Sequence, residues 1–325
     1  MENTKIEFEM APAFIRREIA STLRNTPDSL ADMMSHLLDS QGKNIRGCLA
    51  ALTATDESQM VGLSAIKSAA AIEILHLASL VHDDIIDEAD TRRGKPSLHA
   101  KFGKKNAVMA GDYLFCLCFS LISEAYSQNN SGEYIDRISD FSKAMSALCL
   151  GEIHQSKHNF DFELTLKNYL KIIGGKTASL FAISMYSGAR AGGFDHQKAK
   201  VYGRIGGYFG IIFQLTDDCL DYEGEAGVAQ KPVGKDLREG IITLPLIYAL
   251  KKDPQIKELF SVGIPDEAMF DQMILKVKLL GGIDHTKALA YKYYLKTTKL
   301  IYGLDDPFKK LELVKMLDRI YDRKM

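Results

Sequence analysis

The sequence has no tryptophan, only 8 prolines and 5 cysteines, and its charges nearly cancel, with 41 basic residues against 42 acidic ones. A net charge of −1 leaves no global field to draw in nucleic acid or an anionic membrane. No nucleic-acid partner is therefore expected, and any anionic ligand must be held by local clusters. Glycine and proline are too sparse to suggest a disordered chain. The cysteines (Cys48, Cys116, Cys118, Cys149, Cys219) show no metal-type spacing beyond one C-x-C and sit in apolar stretches. They read as reduced core thiols, as in the cytoplasm. Long uncharged runs are also missing: the apolar stretches are broken by charge within about 15 residues, so no stable membrane span is expected. The first ten residues contain no apolar run that would make a signal peptide, and a cytoplasmic location is the expectation.

What is present is apolar residues at helical spacing. The chain is 46% hydrophobic and 26% charged, as expected of a globular protein with a sizeable core. Helical periodicity runs through Ile66–Ile86, Ala107–Ala125, Phe141–His158, Leu166–Gly188, Ala199–Tyr222, Leu244–Lys252, Asp266–Leu280 and Thr286–Leu300. Few segments alternate as a half-buried strand would. Turn chemistry falls between these runs, at Arg93-Gly94-Lys95-Pro96, Asn129-Asn130-Ser131-Gly132, Gly192-Gly193 and from Gly224 to Gly234. Neither a linker nor a fixed-period repeat divides the chain. The expectation is one all-α domain over residues 1–325, a bundle of about ten to thirteen helices around a central cavity.

Two carboxylate clusters carry the chemistry. In His82-Asp83-Asp84-Ile85-Ile86-Asp87 the first and last aspartates lie one helical turn apart on one face, and Asp84 is offset by about a hundred degrees. Three carboxylates so close repel, and a divalent cation is the natural remedy. All-oxygen ligands suit Mg²⁺, which keeps several waters and bridges to substrate phosphates. A solvated acidic helix end would look similar, except that these aspartates close a nearly uncharged apolar run. Asp217-Asp218-Cys219-Leu220-Asp221 repeats the spacing and also ends a long apolar helix. If the two helix ends face each other, they frame an apolar cavity with a metal-rich rim, fit for an amphiphile with a polyphosphate head.

A diphosphate also needs cations from the protein. Candidates are Lys43 and Arg46, the Arg92-Arg93 pair just after the first cluster, Lys176-Thr177 behind a Gly-Gly pair, and Lys231 and Lys235. Singly, each reads as an ordinary surface residue. Gly234-Lys235 is not a nucleotide-binding loop, because the upstream glycine spacing and the following Ser/Thr are missing.

Together these motifs resemble the trans-isoprenyl diphosphate (polyprenyl) synthases over nearly the whole chain. The strongest matches are Asp83 to Asp87 followed by Arg92-Arg93-Gly94, then Gly174-Gly175-Lys176-Thr177, and Phe213-Gln214 leading into Asp217 to Asp221. The resemblance implies antiparallel helices around a deep cavity and a magnesium-dependent prenyltransferase. It implies that isopentenyl diphosphate is added to an allylic diphosphate such as farnesyl diphosphate, giving long all-trans products of the kind used in quinone side chains. In that pattern Asp83, Asp84, Asp87, Asp217, Asp218 and Asp221 bind Mg²⁺. Arg92, Lys176, Thr177, Gln214 and Lys231 contact the allylic diphosphate, and Lys43, Arg46, His76 and Arg93 contact isopentenyl diphosphate. Without the resemblance, His76 reads as a core histidine. A homodimer is implied, with a two-component heteromer as the variant, and membrane contact only transient, for product release.

Two departures from the family pattern stand out. Gly47 follows Arg46 where a proline is usual, and Ile241 stands in Gly240-Ile241-Ile242-Thr243 where a lysine is common. Product length is read at Ala78 and Ser79, five and four residues before Asp83. One turn of helix is about 5.4 Å, roughly one isoprene unit, so small side chains there leave the cavity open. A product in the hexaprenyl to octaprenyl range is expected, with Ile74, Leu75, Phe115 or Phe119 setting a lower floor. The competing readings are a class I terpene cyclase and a non-catalytic partner subunit. The intact second aspartate triplet argues against the first, and the retention of every metal aspartate against the second.

Overall fold

In a computed structural model, which describes residues 4–40, 42–126, 131–223, 233–260 and 266–323, the chain is almost wholly helical. Its helices are α1 (Ala11–Arg24), α2 (Asp28–Leu38), α3 (Ile45–Thr53), α4 (Leu63–Ile86), α5 (Leu98–Phe102), α6 (Lys104–Tyr126), α7 (Ser131–Lys157) and α8 (Leu166–Ile173). After a π-helical stretch, Gly174–Ala178, follow α9 (Ser179–Ala191), α10 (His196–Glu223), α11 (Lys235–Arg238), α12 (Leu244–Lys252), α13 (Glu267–Leu279), α14 (Gly282–Tyr302) and α15 (Pro307–Tyr321). Extended structure among the described residues is confined to two short antiparallel pairs. They join β1 (Lys5–Glu7) to β2 (Met60–Gly62), and β3 (Thr91–Arg92) to β4 (Lys95–Pro96). The all-α class is as expected, and α5 and α11 are single turns too short for periodicity to reveal.

Contacts group the chain into two compact units, residues 1–144 with 180–206, and residues 145–179 with 207–325. The first is organised on α4. Residues Ala69 to Ile72, with Ile74 and Leu75, are fully buried, and α4 packs on α1, α3 and α6. Alanines let neighbouring helices approach closely, and glycines allow more. A Cβ on Gly188 of α9 would overlap the Ala50 carbonyl oxygen and the Thr53 hydroxyl of α3. The second unit has its own core, in which Leu215, Tyr222, Leu237, Leu246, Ala249, Ile256, Met273 and Val277 are sealed from solvent. Three of its helix starts are capped by side chains, with Thr165 accepting from Asn168 N–H (3.3 Å), Asp266 from Met269 N–H (2.9 Å) and Asp306 from Lys309 N–H (3.0 Å).

Two expectations need correction. Leu63–Ile86 and Lys104–Tyr126 are long and apolar enough, by length and composition, to cross a membrane, contrary to the reading that charge interrupts every run too soon. α4 is largely apolar because it is the buried centre of its unit: 72% of its most apolar window is buried, against 39% for α6. The cysteines divide as well. Cys118 and Cys219 are buried, while Cys116 and Cys149 are exposed on α6 and α7. Both stand on turns of apolar helices that turn away from the core.

Gly188→Ala is expected to lower unfolding free energy by about 1–3 kcal/mol, since no side chain there can rotate out of the backbone's way. Chemical denaturation checks this, and unchanged stability would show that α3 and α9 are not in close contact.

Candidate active site

The first aspartate cluster grows out of the end of α4. Asp83 is half-buried, Asp84 is 5% exposed and Asp87 is exposed, so the three carboxylates fan across the helix rim. The helix closes with the Asp87 N–H on the Asp83 carbonyl (2.8 Å). Beyond it, Arg93 (φ 53°) and Gly94 (φ 75°) make the tight turn between β3 and β4. That turn brings Arg92 back onto the cluster, where its Nε donates to both oxygens of Asp84 at 2.8 and 2.7 Å. Arg93 points elsewhere, donating to the Ser40 carbonyl at 2.6 Å.

Three further sequence candidates gather in the same unit. Arg46, in the first turn of α3, lays its guanidinium 4.5 Å from the ring centre of Phe181. Burial lowers its pKa to about 10, still well above neutrality. His76 of α4 is pushed well below its ordinary value by burial and then by Arg46, Arg92 and Arg93, so it is neutral and offers hydrogen bonds rather than charge. Lys43 is exposed just before α3. Ala78 and Ser79 are buried on α4, and the Ser79 hydroxyl donates to the His76 carbonyl (2.8 Å), which leaves its small profile unchanged. Ile74 and Leu75 are fully buried, whereas Phe115 and Phe119 are half-buried on α6.

The second cluster lies in the other unit. Asp217 is exposed, Asp218 is 1% exposed and Asp221 is half-buried. Asp218 takes hydrogen bonds from the Tyr169 hydroxyl and from Gln214 Nε2 (2.9 Å), and Gln214 Oε1 in turn accepts from the Thr177 hydroxyl (2.7 Å). Thr177 belongs to the π-helical stretch, which is closely packed. A Cβ on Gly175 would stand 2.6 Å from the Ala147 carbonyl oxygen, and one on Gly210 only 2.5 Å from Ala178 Cα. The two close approaches hold the backbone where Lys176 reaches Glu152 (2.9 Å) and Thr177 reaches Gln214. Asp221 receives the backbone N–H groups of Lys235 (3.0 Å) and Asp236 (3.3 Å) and so fixes the start of α11. Lys231 lies outside the described residues. Ile241, half-buried, contributes only its N–H, to the Asp236 carbonyl (2.8 Å).

Burial, with Asp217 nearby, pushes Asp218 up to about 7, and burial and mutual repulsion raise Asp221 and Asp236 as well. Arg323, 4.2 Å from the Phe213 ring centre and 3.5 Å from Asp217, is a cation that approaches the cluster. Among the described residues no three His, Cys, Asp or Glu side chains converge as a ready-made metal nest. The donor set still fits a hard divalent cation, being all carboxylate, with one buried member in each cluster, Asp84 and Asp218.

Comparison with known proteins agrees with this chemistry. The polyprenyl synthetase family profile matches residues 27–274. The heptaprenyl diphosphate synthase component 2 of Geobacillus stearothermophilus is 35% identical over 90% of this chain and 89% of its own length. Among solved structures, the heptaprenyl diphosphate synthase of Staphylococcus aureus superimposes with a TM-score of 0.90 at 29% identity, covering 99% of this chain and 100% of that one. A polyprenyl synthase from Caulobacter crescentus, solved with calcium and isoprenyl diphosphate, gives 0.86 at 30% identity over 98% and 96%. The chain belongs to the polyprenyl synthetase family. It is a prenyltransferase that builds polyprenyl diphosphates.

Sequence reasoning passed over Tyr169, Glu152, Asp236 and Arg323. Each acts across a distance in sequence that spacing cannot show, although Asp236 adjoins the Lys235 already noted. Tyr169→Phe is expected to lower kcat/KM about tenfold, the worth of one hydrogen bond to a charged group, and to lower stability by about 1–3 kcal/mol, because a buried carboxylate loses a donor. Steady-state kinetics and a thermal melt check this. Wild-type kinetics would remove Tyr169 from the site.

Proposed function

We propose that the protein condenses isopentenyl diphosphate with an allylic diphosphate in repeated head-to-tail steps and releases a long-chain all-trans polyprenyl diphosphate. What supports this most is the pair of all-aspartate clusters, each pinned by protein donors at the end of an apolar helix, in a chain matched by synthases along its length. Asp83, Asp84 and Asp87, with Asp217, Asp218 and Asp221, would hold Mg²⁺ against the allylic diphosphate. When bound, the metal neutralises charge that develops on the departing diphosphate. Arg92, Lys176 and Lys231 add fixed positive charge for the same leaving group, and Thr177 and Gln214 hold Asp218 in place. Lys43, Arg46, neutral His76 and Arg93 take the diphosphate of isopentenyl diphosphate.

The allylic cation is attacked by the isopentenyl double bond, and apolar walls keep water from quenching it. A proton is then lost to the departed diphosphate, so no dedicated protein base is required. Both compact units serve this one activity, and residues 1–325 work as a single synthase domain in the cytoplasm, meeting the membrane only to release product. The working form is a homodimer or a heteromer. The second arrangement is favoured by the relative whose name marks it as one component of two.

Purified protein with Mg²⁺, farnesyl diphosphate and labelled isopentenyl diphosphate is expected to give elongated products in the hexaprenyl to octaprenyl range. A cyclic hydrocarbon would instead indicate a cyclase, and turnover only with an added chain a two-component enzyme. Ser79→Phe is expected to shorten the product by several isoprene units, because a ring one turn below Asp83 blocks the growing tail. Unchanged long products on reversed-phase chromatography would overturn that assignment.

A further inference from the structure

Lys176 and Thr177 are neighbours on the π-helical stretch and make different contacts. Thr177 joins Gln214 and, through it, Asp218, whereas the Lys176 ammonium meets the Glu152 carboxylate of α7 at 2.9 Å. The lysine and glutamate side chains are 24% and 20% exposed, so water covers little of the pair and screens it less than a surface one.

Two glycines set this pairing. A Cβ on Gly151, which precedes Glu152, would overlap the backbone nitrogen of Lys176 and stand 2.8 Å from the carbonyl carbon of Gly175. One on Gly175, which precedes Lys176, would stand 3.0 Å from Gly151 Cα. α7 and the π-helical stretch therefore meet backbone to backbone, and the next residue along each is the acid or the base of the pair. That close contact fixes the roots of both side chains, and the ion pair fixes the lysine tip. A lysine stem has many rotamers, and a ligand that must order it loses affinity. An ammonium carries three donors, so it can serve a carboxylate and a diphosphate at once.

We propose that Glu152 is a positioning residue for the allylic diphosphate: it holds the Lys176 ammonium next to Thr177 and its link to Asp218, so that the cation is in place when the ligand arrives. The negative charge of Glu152 cannot itself attract a diphosphate. What it contributes is an acceptor oxygen within reach of the ammonium. The inference rests on the reading of Lys176 as an allylic diphosphate contact.

Calorimetric titration of the full-length protein in Mg²⁺ with farnesyl diphosphate alone, and separately with isopentenyl diphosphate alone, tests it without turnover. Glu152→Ala is expected to weaken farnesyl diphosphate binding about tenfold, the cost of ordering the lysine on binding, and to leave isopentenyl diphosphate binding unchanged. Glu152→Gln keeps an oxygen at the ammonium and is expected to bind farnesyl diphosphate no more than about twofold weaker than the wild type. In a Lys176→Met background, Glu152→Ala is expected to cause no further loss, because it acts through the ammonium. Should Glu152→Ala not fold, Glu152→Met, which fills the space without an acceptor, is expected to show the same selective loss. Unchanged binding in a folded variant lacking the acceptor, equal losses for both diphosphates, or a further loss in the Lys176→Met background would overturn the proposal. So would a Glu152→Gln protein as weak as Glu152→Ala. Lys176→Met alone separates the two layers. If it weakens farnesyl diphosphate binding while Glu152→Ala does not, only the positioning fails; if it leaves binding intact, the allylic reading of Lys176 falls as well.

Discussion

A carboxylate taken out of water has to be met by hydrogen-bond donors or by a cation, and that requirement shapes both units of this protein. Asp84 is met by the Nε of Arg92, Asp218 by Tyr169 and Gln214, Asp221 by two backbone N–H groups, and Glu73 by the Gly47 N–H. Three of these pairings tie the carboxylate to another element: the β3–β4 turn, the start of α11 and the start of α3. Around Asp218, Asp221 and Asp236, burial first and then the neighbouring carboxylates raise the pKa values. Partial compensation suits a catalyst. Carboxylates fully paired within the protein would not take up a metal–diphosphate complex, and uncompensated ones could not be buried.

Helix packing serves the same end. The alanines of α4 and the glycines at 175, 188 and 210 bring backbones close enough that side-chain donors from one helix reach carboxylates on the next. At Gly175 no side chain fits beside the Ala147 carbonyl oxygen, and two residues further on Thr177 reaches Gln214.

The long helices between α4 and α14 were legible because their apolar runs end in charges or turn residues, whereas α1 and α15 were not among those expected, and both aspartate clusters were legible because three carboxylates at one spacing occur twice. The π-helical stretch was not, since its close neighbour, the Ala147 carbonyl, lies on another helix. Tyr169 was hidden for the same reason: nothing in its own apolar helix marks its hydroxyl as the partner of Asp218, 49 residues away. Glu73 left a faint signal, a lone charge inside a buried run, but its partner is a backbone N–H that no side-chain motif announces. Spacing reveals groups that act together on one helix, and pairings between helices become visible only once the chain is folded.

The central claim is that both aspartate clusters serve the same allylic diphosphate. Rates of condensation at saturating Mg²⁺ for Asp83→Asn, Asp217→Asn and the double variant test it most directly. If the clusters act on one leaving group, the double variant should lose little more than the worse single variant. Losses that multiply independently would contradict the account.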